Sequence, residues 1–417
     1  MTQLKIKELG RQGDGIAEGP VFVPRTLPGE LIDGDVIEGR VENAKIIEPS
    51  ADRIKPVCRH FKTCGGCLMQ HASDAVLADW KQNIVADVFA SQGLTPQFRT
   101  IEVSPPKSRR RAKYTARRTK NGAMAGFYAR RSDVLVDVID CPLVVPMLDG
   151  APDLARDLAK VGTSRKGEIS VQCTATRDGM DVAVTGGKPF DQSLTQDLPK
   201  LAAQHNVVRL IWNGELVAQS AQPVHRLGQA EMPLPQGAFL QATDHGEQIL
   251  QARVAEAVGG ASHIVDLFSG CGTFALYLAN TAPVLSVESD KAMTRACQEA
   301  ANHAGLIHPV KAISRDLFDN PLTPQDLSKY DAVVLDPPRA GALAQVKELA
   351  ASNIPVIAYV SCDPTTFTRD AKILTDAGYV FDWVQVVDQF RWSAHVELVG
   401  RFIRSEYKKI SSQRTAA

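Results

Sequence analysis

The chain has 417 residues, 44% of them hydrophobic and 23% charged, with 47 Lys and Arg set against 47 Asp and Glu. That length holds two or three globular domains, and a net charge of zero excludes a uniformly basic nucleic-acid binder while permitting a local basic patch. Met1 to Gly10 carries Lys and Glu with no apolar signal-peptide core, and no window approaches ~18 uninterrupted apolar residues, so a cytoplasmic protein without a membrane span is expected.

Residues 1–50 alternate apolar and polar side chains, as in Leu4-Lys5-Ile6-Lys7 and Val21-Phe22-Val23, between turn signals such as Gly13-Asp14-Gly15 and Leu27-Pro28-Gly29-Glu30. Short punctuated strands of this kind predict a small β-barrel, which can be an RNA-binding or a purely structural module. Cys58, Cys64 and Cys67 follow in a C-x5-C-x2-C array with Gly65-Gly66 inside it. In a reducing compartment, thiols this close point to a shared metal. Cys141, which begins a loop after the strand-like run Val134 to Ile139, is the best fourth ligand, with His60 and His71 as alternatives. Four cysteines suit structural zinc or a 4Fe–4S cluster, and the absence of paired C-x2-C spacing favours iron–sulfur.

Ser73 to Ala90 reads as an amphipathic helix capped by Ser73 or Asp74. Lys107 to Arg131 then carries ten Lys and Arg (among them Arg109, Arg110, Arg111, Arg117, Arg130 and Arg131) with no Asp or Glu, and Tyr114, Phe127 and Tyr128 interleave. Cations with stacking rings are the footprint of nucleic-acid binding, although a charge run is also compatible with a solvated face. Strand-like stretches at 169–176, 179–184 and 207–213 make residues 51–230 a mixed α+β domain with an antiparallel sheet.

From residue 231 the pattern changes to alternating strands and helices. After a helix from Asp244 to Val258, the strand His263 to Phe268 meets the turn Ser269-Gly270-Cys271-Gly272-Thr273 and a short helix. The glycines let a ligand approach the helix N-terminus. A second strand ends in Glu288, 22 residues after Asp266, where a carboxylate can accept both ribose hydroxyls. The order D-x-F-x-G-x-G favours S-adenosylmethionine over a dinucleotide. Further strands end at Asp316, at Asp336-Pro337-Pro338-Arg339, and at Ser361-Cys362-Asp363-Pro364, and 380–387 with 396–403 suits a terminal hairpin. This is a Rossmann-like, seven-stranded methyltransferase arrangement over 231–417. Cys362, on the ligand edge of its strand, is a candidate nucleophile or else a small buried hydrophobe.

Taken together, the barrel, C-x5-C-G-G-C, the basic insert with Gly126-Phe127-Tyr128, Phe239-x-Gln241, D-L-F-x-G-x-G, D-P-P-R, S-C-D-P and His395-x-Glu397 resemble the RNA uracil-C5-methyltransferases, in the iron–sulfur branch with a TRAM-like barrel. The resemblance spans nearly the whole chain. It implies Cys362 as nucleophile, Glu397 as base and Asp336 in the active site beside the cofactor. It also implies Gln241, Phe268, Thr273, Glu288 and Asp316 as contacts for S-adenosylmethionine, and Cys58, Cys64, Cys67 and Cys141 as ligands of a 4Fe–4S cluster. RNA is the implied partner, 23S rRNA favoured and tRNA possible, and a monomer is expected. The Ser-first glycine turn, the short barrel and Thr243 in place of a common Asn depart from the pattern.

Uracil C5 is too weak a nucleophile to take a methyl group directly. A thiolate adding to C6 makes C5 an enolate carbon, and a base must later remove the C5 proton. The target base must also be reachable, which implies flipping from folded RNA. A cytosine-C5 enzyme is the alternative chemistry, but it usually places Cys after Pro in the fourth-strand motif, where this chain has Asp336-Pro337-Pro338-Arg339. A non-catalytic RNA-binding protein leaves Cys362 and Glu397 without a purpose. Cys271 and Cys297 are read as packing residues, and Cys173 has no assigned role.

Overall fold

The alternation near the N-terminus becomes a five-stranded antiparallel sheet in the computed structural model, which describes residues 2–407. Its strands are Thr2–Leu9, Asp14–Ala17, Val21–Pro24, Leu31–Gly34 and Lys45–Glu48, in spatial order third, second, first, fourth, fifth. Ile6, Ala17, Val23, Ile32 and Val41 fill its interior. Phe22 on an edge strand donates to Gly39 O (2.9 Å) and accepts from Val41 N (3.0 Å), so the sheet curls back on itself. Asp14 fastens this unit to the next, taking Arg130 at 2.7 Å and Arg131 at 3.2 Å.

The central sheet runs Leu135–Asp137, Gly122–Tyr128, Arg111–Thr119, Glu168–Ala175, Met180–Thr185, Val207–Trp212, Glu215–Gln219. The expected antiparallel pairing holds except between Met180–Thr185 and Val207–Trp212, which are parallel. The helix Gln192–Gln204 joins those two strands, and a parallel pair requires such a crossover. With the helix Ala151–Gly162 it covers a core of Tyr114, Leu154, Val171, Cys173 and Trp212. Cys173 is therefore a packing residue.

The C-terminal sheet has the spatial order Val310–Ser314, Val284–Glu288, Ile264–Leu267, Ala332–Leu335, Val356–Ser361, Glu397–Arg404, Tyr379–Asp388. The first five are parallel and Glu397–Arg404 is antiparallel. Strands such as Ala332-Val333-Val334-Leu335 are apolar throughout because helices cover both faces. The order in which successive strands are added to the sheet reverses between the parallel neighbours Ile264–Leu267 and Ala332–Leu335, and ligands bind beyond the carboxyl ends of strands at such a switch point.

Two short strands enlarge the expected seven. Gln97–Phe98 and Glu102–Val103 pair in parallel with Tyr379–Asp388, although they lie within the expected central segment 51–230. The helix Asp74–Ala90 before them, capped by the Ser73 hydroxyl, also packs on this unit, with Phe89 stacked on Phe367 at 5.5 Å. The expected boundary at 230/231 falls within the hairpin Val224–Leu227/Ala230–Pro233, whose Leu227, Ala230 and Met232 share a core with Leu276 and Ala300. Among the described residues, no helix is long and apolar enough to cross a membrane.

Candidate active site

Three strand ends deliver the chemistry to one edge. Asp336 follows Leu335, and Cys362 follows Ser361. Ser361 pairs antiparallel with Leu398, so Glu397 comes to stand opposite Cys362. Asp363 caps the helix Pro364–Asp376 by accepting from Thr365 N at 2.8 Å, which fixes the half-buried thiol between strand and helix.

Burial and crowding of like charge set the proton affinities here. Glu397 is 3% exposed. Its carboxyl is pushed up to about 8 by burial and then by Asp336, against a donor from Gln389 and the nearby Arg339 cation. Burial alone raises Asp336 to about 7. The Cys362 thiol is pushed up to about 11 by burial, then by Glu397 and Asp336, with Arg339 opposing. The site therefore holds one carboxyl able to take a proton near neutral pH and another able to donate one.

Gln389, which no motif marks, binds these groups together. Gln389 Nε2 donates to Glu397 Oε2 at 2.9 Å and to Gln241 Oε1 at 2.6 Å. Gln389 Oε1 accepts from Ala242 N at 2.8 Å. Gln241 Nε2 in turn reaches Asp336 Oδ2 at 3.5 Å. Thr243, noted for its departure from Asn, caps the helix Asp244–Ala257 through its hydroxyl and pairs with Ser104 Oγ at 2.9 Å.

Phe268, Thr273, Glu288 and Asp316, expected at the cofactor, lie at or after the ends of the strands Ile264–Leu267, Val284–Glu288 and Val310–Ser314. Gly270 and Gly272 have φ of 54° and 90°, in the left-handed region, and a Cβ at Gly270 would meet nothing within 4 Å. Gly270 thus presents backbone to open space, whereas a Cβ at Gly272 would lie 2.5 Å from Cys297 Sγ. Phe268 also has a positive φ of 59° and packs its ring 5.4 Å from that of Phe318, an exposed aromatic the motifs did not mark. Glu288 Oε2 accepts from Gly270 N at 3.0 Å, while Oε1 takes Ser289 Oγ and Asp290 N. Three of its roughly four lone-pair sites are thereby used within the chain. Asp316 accepts from Phe318 N at 2.9 Å, and the Thr273 carbonyl from Gln251 at 2.9 Å. Asp266 is fully buried, with Oδ2 on Ala275 N at 2.9 Å and Oδ1 unpartnered. Cys271 and Cys297 are buried packing residues, as expected.

Cys58, Cys64, Cys67 and Cys141 line a single cavity of about 380 Å³ whose far wall carries Gln389 and His395. Gly65 makes this loop possible, because a Cβ there would lie 2.6 Å from Tyr128 O. Among the described residues no group of three or more His, Cys, Asp or Glu, these thiols included, stands as a ready metal-ion site. His60 N and Gly66 N donate to Cys58 Sγ and Cys64 Sγ, each at 3.4 Å. Burial raises all four thiols, Cys67 to about 12. Of the alternative ligands, His60 Nε2 takes Ile139 N at 3.3 Å, and His71 lies buried outside the cavity lining with both ring nitrogens unpartnered.

Part of the basic insert is tied down within the fold. Arg110 is buried on Glu247 at 2.5 Å, Arg117 pairs with Glu168 at 3.3 Å, and Arg130 and Arg131 hold Asp14. Tyr114 is fully buried and packs on Phe127 at 5.1 Å, so these rings serve the core and only Tyr128 is exposed. Lys107, Lys113, Arg118 and Lys120 are exposed and form no ion pair among the described residues.

Comparison with known proteins agrees with this arrangement. The family model described as tRNA (Uracil-5-)-methyltransferase matches residues 234–405. An RNA methyltransferase of Rhizobium meliloti (strain 1021) is 40% identical over 403 residues, 94% of this chain and 97% of its own. The 23S rRNA (uracil(1939)-C(5))-methyltransferase RlmD of Aromatoleum aromaticum is 30% identical over 443 residues, covering 96% of this chain and 99% of that one. A Pyrococcus abyssi tRNA (uracil-54, C5)-methyltransferase, solved in complex with S-adenosyl-L-homocysteine, matches with a TM-score of 0.75 over 96% of this chain and 100% of that one. At 22% identity that match speaks to the fold alone.

Proposed function

This chain belongs to the RNA uracil-5-methyltransferase family, and on that premise we propose that it methylates C5 of a uridine in folded RNA through a covalent Cys362 adduct, with 23S rRNA as the favoured substrate. The observation that carries the mechanism is the antiparallel register that sets Glu397 opposite Cys362. The 23S preference is supported by the full-length relationship to an enzyme named for that RNA, and a tRNA T-loop uridine is the alternative. An enzyme acting as a monomer in the cytoplasm is the matching expectation.

The Cys362 thiol passes its proton to a neighbouring carboxylate as its sulfur adds to uracil C6, and the C5=C6 electrons move onto C5 and O4. On this reading Asp336, whose carboxyl burial raises to about 7, donates toward the developing oxyanion. When bound, S-adenosylmethionine supplies a methyl group on a cationic sulfur. Gln241, Phe268, Thr273, Glu288, Asp316 and Asp336 are the residues to hold it, and the open backbone at Gly270 and the unpartnered Asp266 Oδ1 suit a polar ligand there. The C5 carbon takes the methyl, and the electrons of the broken S–CH3 bond stay on the sulfur, so that S-adenosylhomocysteine leaves. Glu397 then removes the C5 proton, the C–H electrons restore the C5=C6 bond, and the C6–S bond breaks to return the thiolate.

Cys58, Cys64, Cys67 and Cys141 are read as ligands of a 4Fe–4S cluster. Four thiols lining one cavity, with N–H groups donated to two sulfurs, are the kind of donor set such a cluster uses. The cluster would cross-link two distant segments, and no step of methyl transfer passes through it. The curled N-terminal sheet is read as a small TRAM-like barrel. Lys107, Lys113, Arg118 and Lys120 remain available for phosphates.

Labelled S-adenosylmethionine, offered with unmodified 23S rRNA and with unmodified tRNA, tests the reading. Label in 5-methyluridine from rRNA is the expected outcome, and Cys362→Ala should abolish it. Label in tRNA overturns the substrate, label in 5-methylcytidine overturns the chemistry, and no label in either overturns the function.

A further inference from the structure

We propose that Gln389 is a positioning residue for the proton-removal step, donating to the Glu397 carboxylate and aiming it while tying it to Gln241. The inference rests on the proposed uridine C5 methylation. It is carried by three contacts that leave the Gln389 amide no freedom. Its Oε1 accepts from the Ala242 backbone N–H at 2.8 Å, and a backbone N–H can only donate. The orientation of the amide is therefore fixed, and Nε2 must be the atom facing both Glu397 Oε2 at 2.9 Å and Gln241 Oε1 at 2.6 Å. An amide N–H stabilises a carboxylate more than a carboxylic acid. All three contacts are buried, and Gln389 itself is 2% exposed, so water does not substitute for it.

The charged and titratable groups around Glu397 come from every element packed there. Asp336 and Arg339 lie on the loop after Ala332–Leu335, and Cys362 ends Val356–Ser361. The Lys81–Asp388 pair stands behind the Gln389 loop, and His395 lies two residues before the base. Asp336 and burial both disfavour the carboxylate, and Gln389 is the neutral donor that opposes them. Gln241, on the far side of the same amide, lies beside Asp336. Gln389 thus joins the cofactor side of the cleft to the base.

If Gln389 only fills space or holds its loop, its loss lowers activity equally at every pH. If it holds Glu397 ionised, its loss moves the pH at which the base works. The test uses the full-length holoenzyme with the RNA that the wild type methylates. Should the wild type form no 5-methyluridine at all, the underlying reading fails before the variant is consulted. With an active wild type, single-turnover release of 5-methyluridine is followed from about pH 6 to about pH 9, and the covalent protein–RNA adduct is quantified on denaturing gels. In Gln389→Met, similar in length but without a donor, the acidic limb should move up by about one pH unit. Below that limb the methylated adduct should accumulate, because addition and methyl transfer precede the step affected. An unmoved limb without adduct accumulation overturns the proposal, whatever the loss of overall rate. Gln389→Asn keeps an amide one methylene shorter and serves if the methionine variant fails to fold. It too must shift the limb, by less than the donor-free variant.

Discussion

Glu397 shows at the scale of one residue how function is set against stability. Its carboxyl titrates near 4.5 in an unfolded chain and is pushed up to about 8 in the fold. Between those values the folded state binds more protons than the unfolded one, so its contribution to stability is fully present below about 4.5 and is lost as pH rises through about 8. Glu397→Gln keeps the shape and removes the ionisation. Its melting temperature should exceed that of the wild type at pH 8.5 by about 2 °C or more, and the gap should shrink as pH falls toward 5. A gap that is flat or grows on acidification contradicts the burial of an ionisable base here. The same variant should also halt after methyl transfer with adduct accumulated. Cys362 and Glu397 were legible in the sequence because each closes a compact local motif at a strand end. Gln389 was not, since its role depends on Gln241, 148 residues away, and on the fold bringing the two amides together. Tyr114 and Phe127 misled for the converse reason: alternation along a strand does not say which face is the core.

Among the elements, the helix Asp74–Ala90 reaches furthest beyond its place in the chain. Lys81, fully buried on it, donates to Asp388 Oδ1 at 2.5 Å, to Phe390 O at 3.1 Å and to His395 O at 3.0 Å. One ammonium thus pins both ends of the loop that carries Gln389 and leads into Glu397. Burial pulls Lys81 down and pushes Asp388 up, and each opposes that shift in the other. Lys81→Met leaves a buried carboxylate without its cation and should cost about 3 kcal/mol or more in denaturant unfolding. Adding Asp388→Leu should recover part of that loss, and a double variant less stable than Lys81→Met would refute the pairing. The helix was legible from its cap and its apolar spacing, as were the strands of the C-terminal sheet from their unbroken apolar runs. The attachment of Gln97–Phe98 and Glu102–Val103 was not, because two-residue strands have no period to read. The helix Gln192–Gln204, with Pro199 inside it, also escaped the sequence reading, and with it the crossover that makes one central pair parallel.

Across the whole molecule, the cysteine array, the basic insert and the catalytic loop meet around one cavity. Leu68 N and Met69 N, just past Cys67, both donate to Trp392 O, at 2.7 and 3.2 Å. Arg109 lies 5.8 Å from the centre of the Phe390 ring. The segment 58–67 is thereby bonded to the loop that bears Gln389, so a cluster on its thiols would brace the catalytic edge without taking part in the chemistry. This separates two kinds of damage. If the thiols hold the proposed cluster, Cys67→Ser should lose iron and sulfide together with visible absorption, and it should lower kcat at least tenfold while the KM for RNA changes less, because loosening the loop displaces the base and its donor. Arg118→Ala and Lys120→Ala lie on the exposed part of the insert, away from that wall. Each should raise the KM for RNA and flatten its salt dependence by about one unit of slope while leaving kcat in place. If Cys67→Ser instead raises KM alone, the array serves RNA docking and the brace is wrong. If it loses the metal and keeps full kcat and KM, the hydrogen bonds to Trp392 hold the loop unaided. The contrast between the two sets of variants is therefore the measurement that assigns the cysteines to catalysis by position or to recognition of RNA.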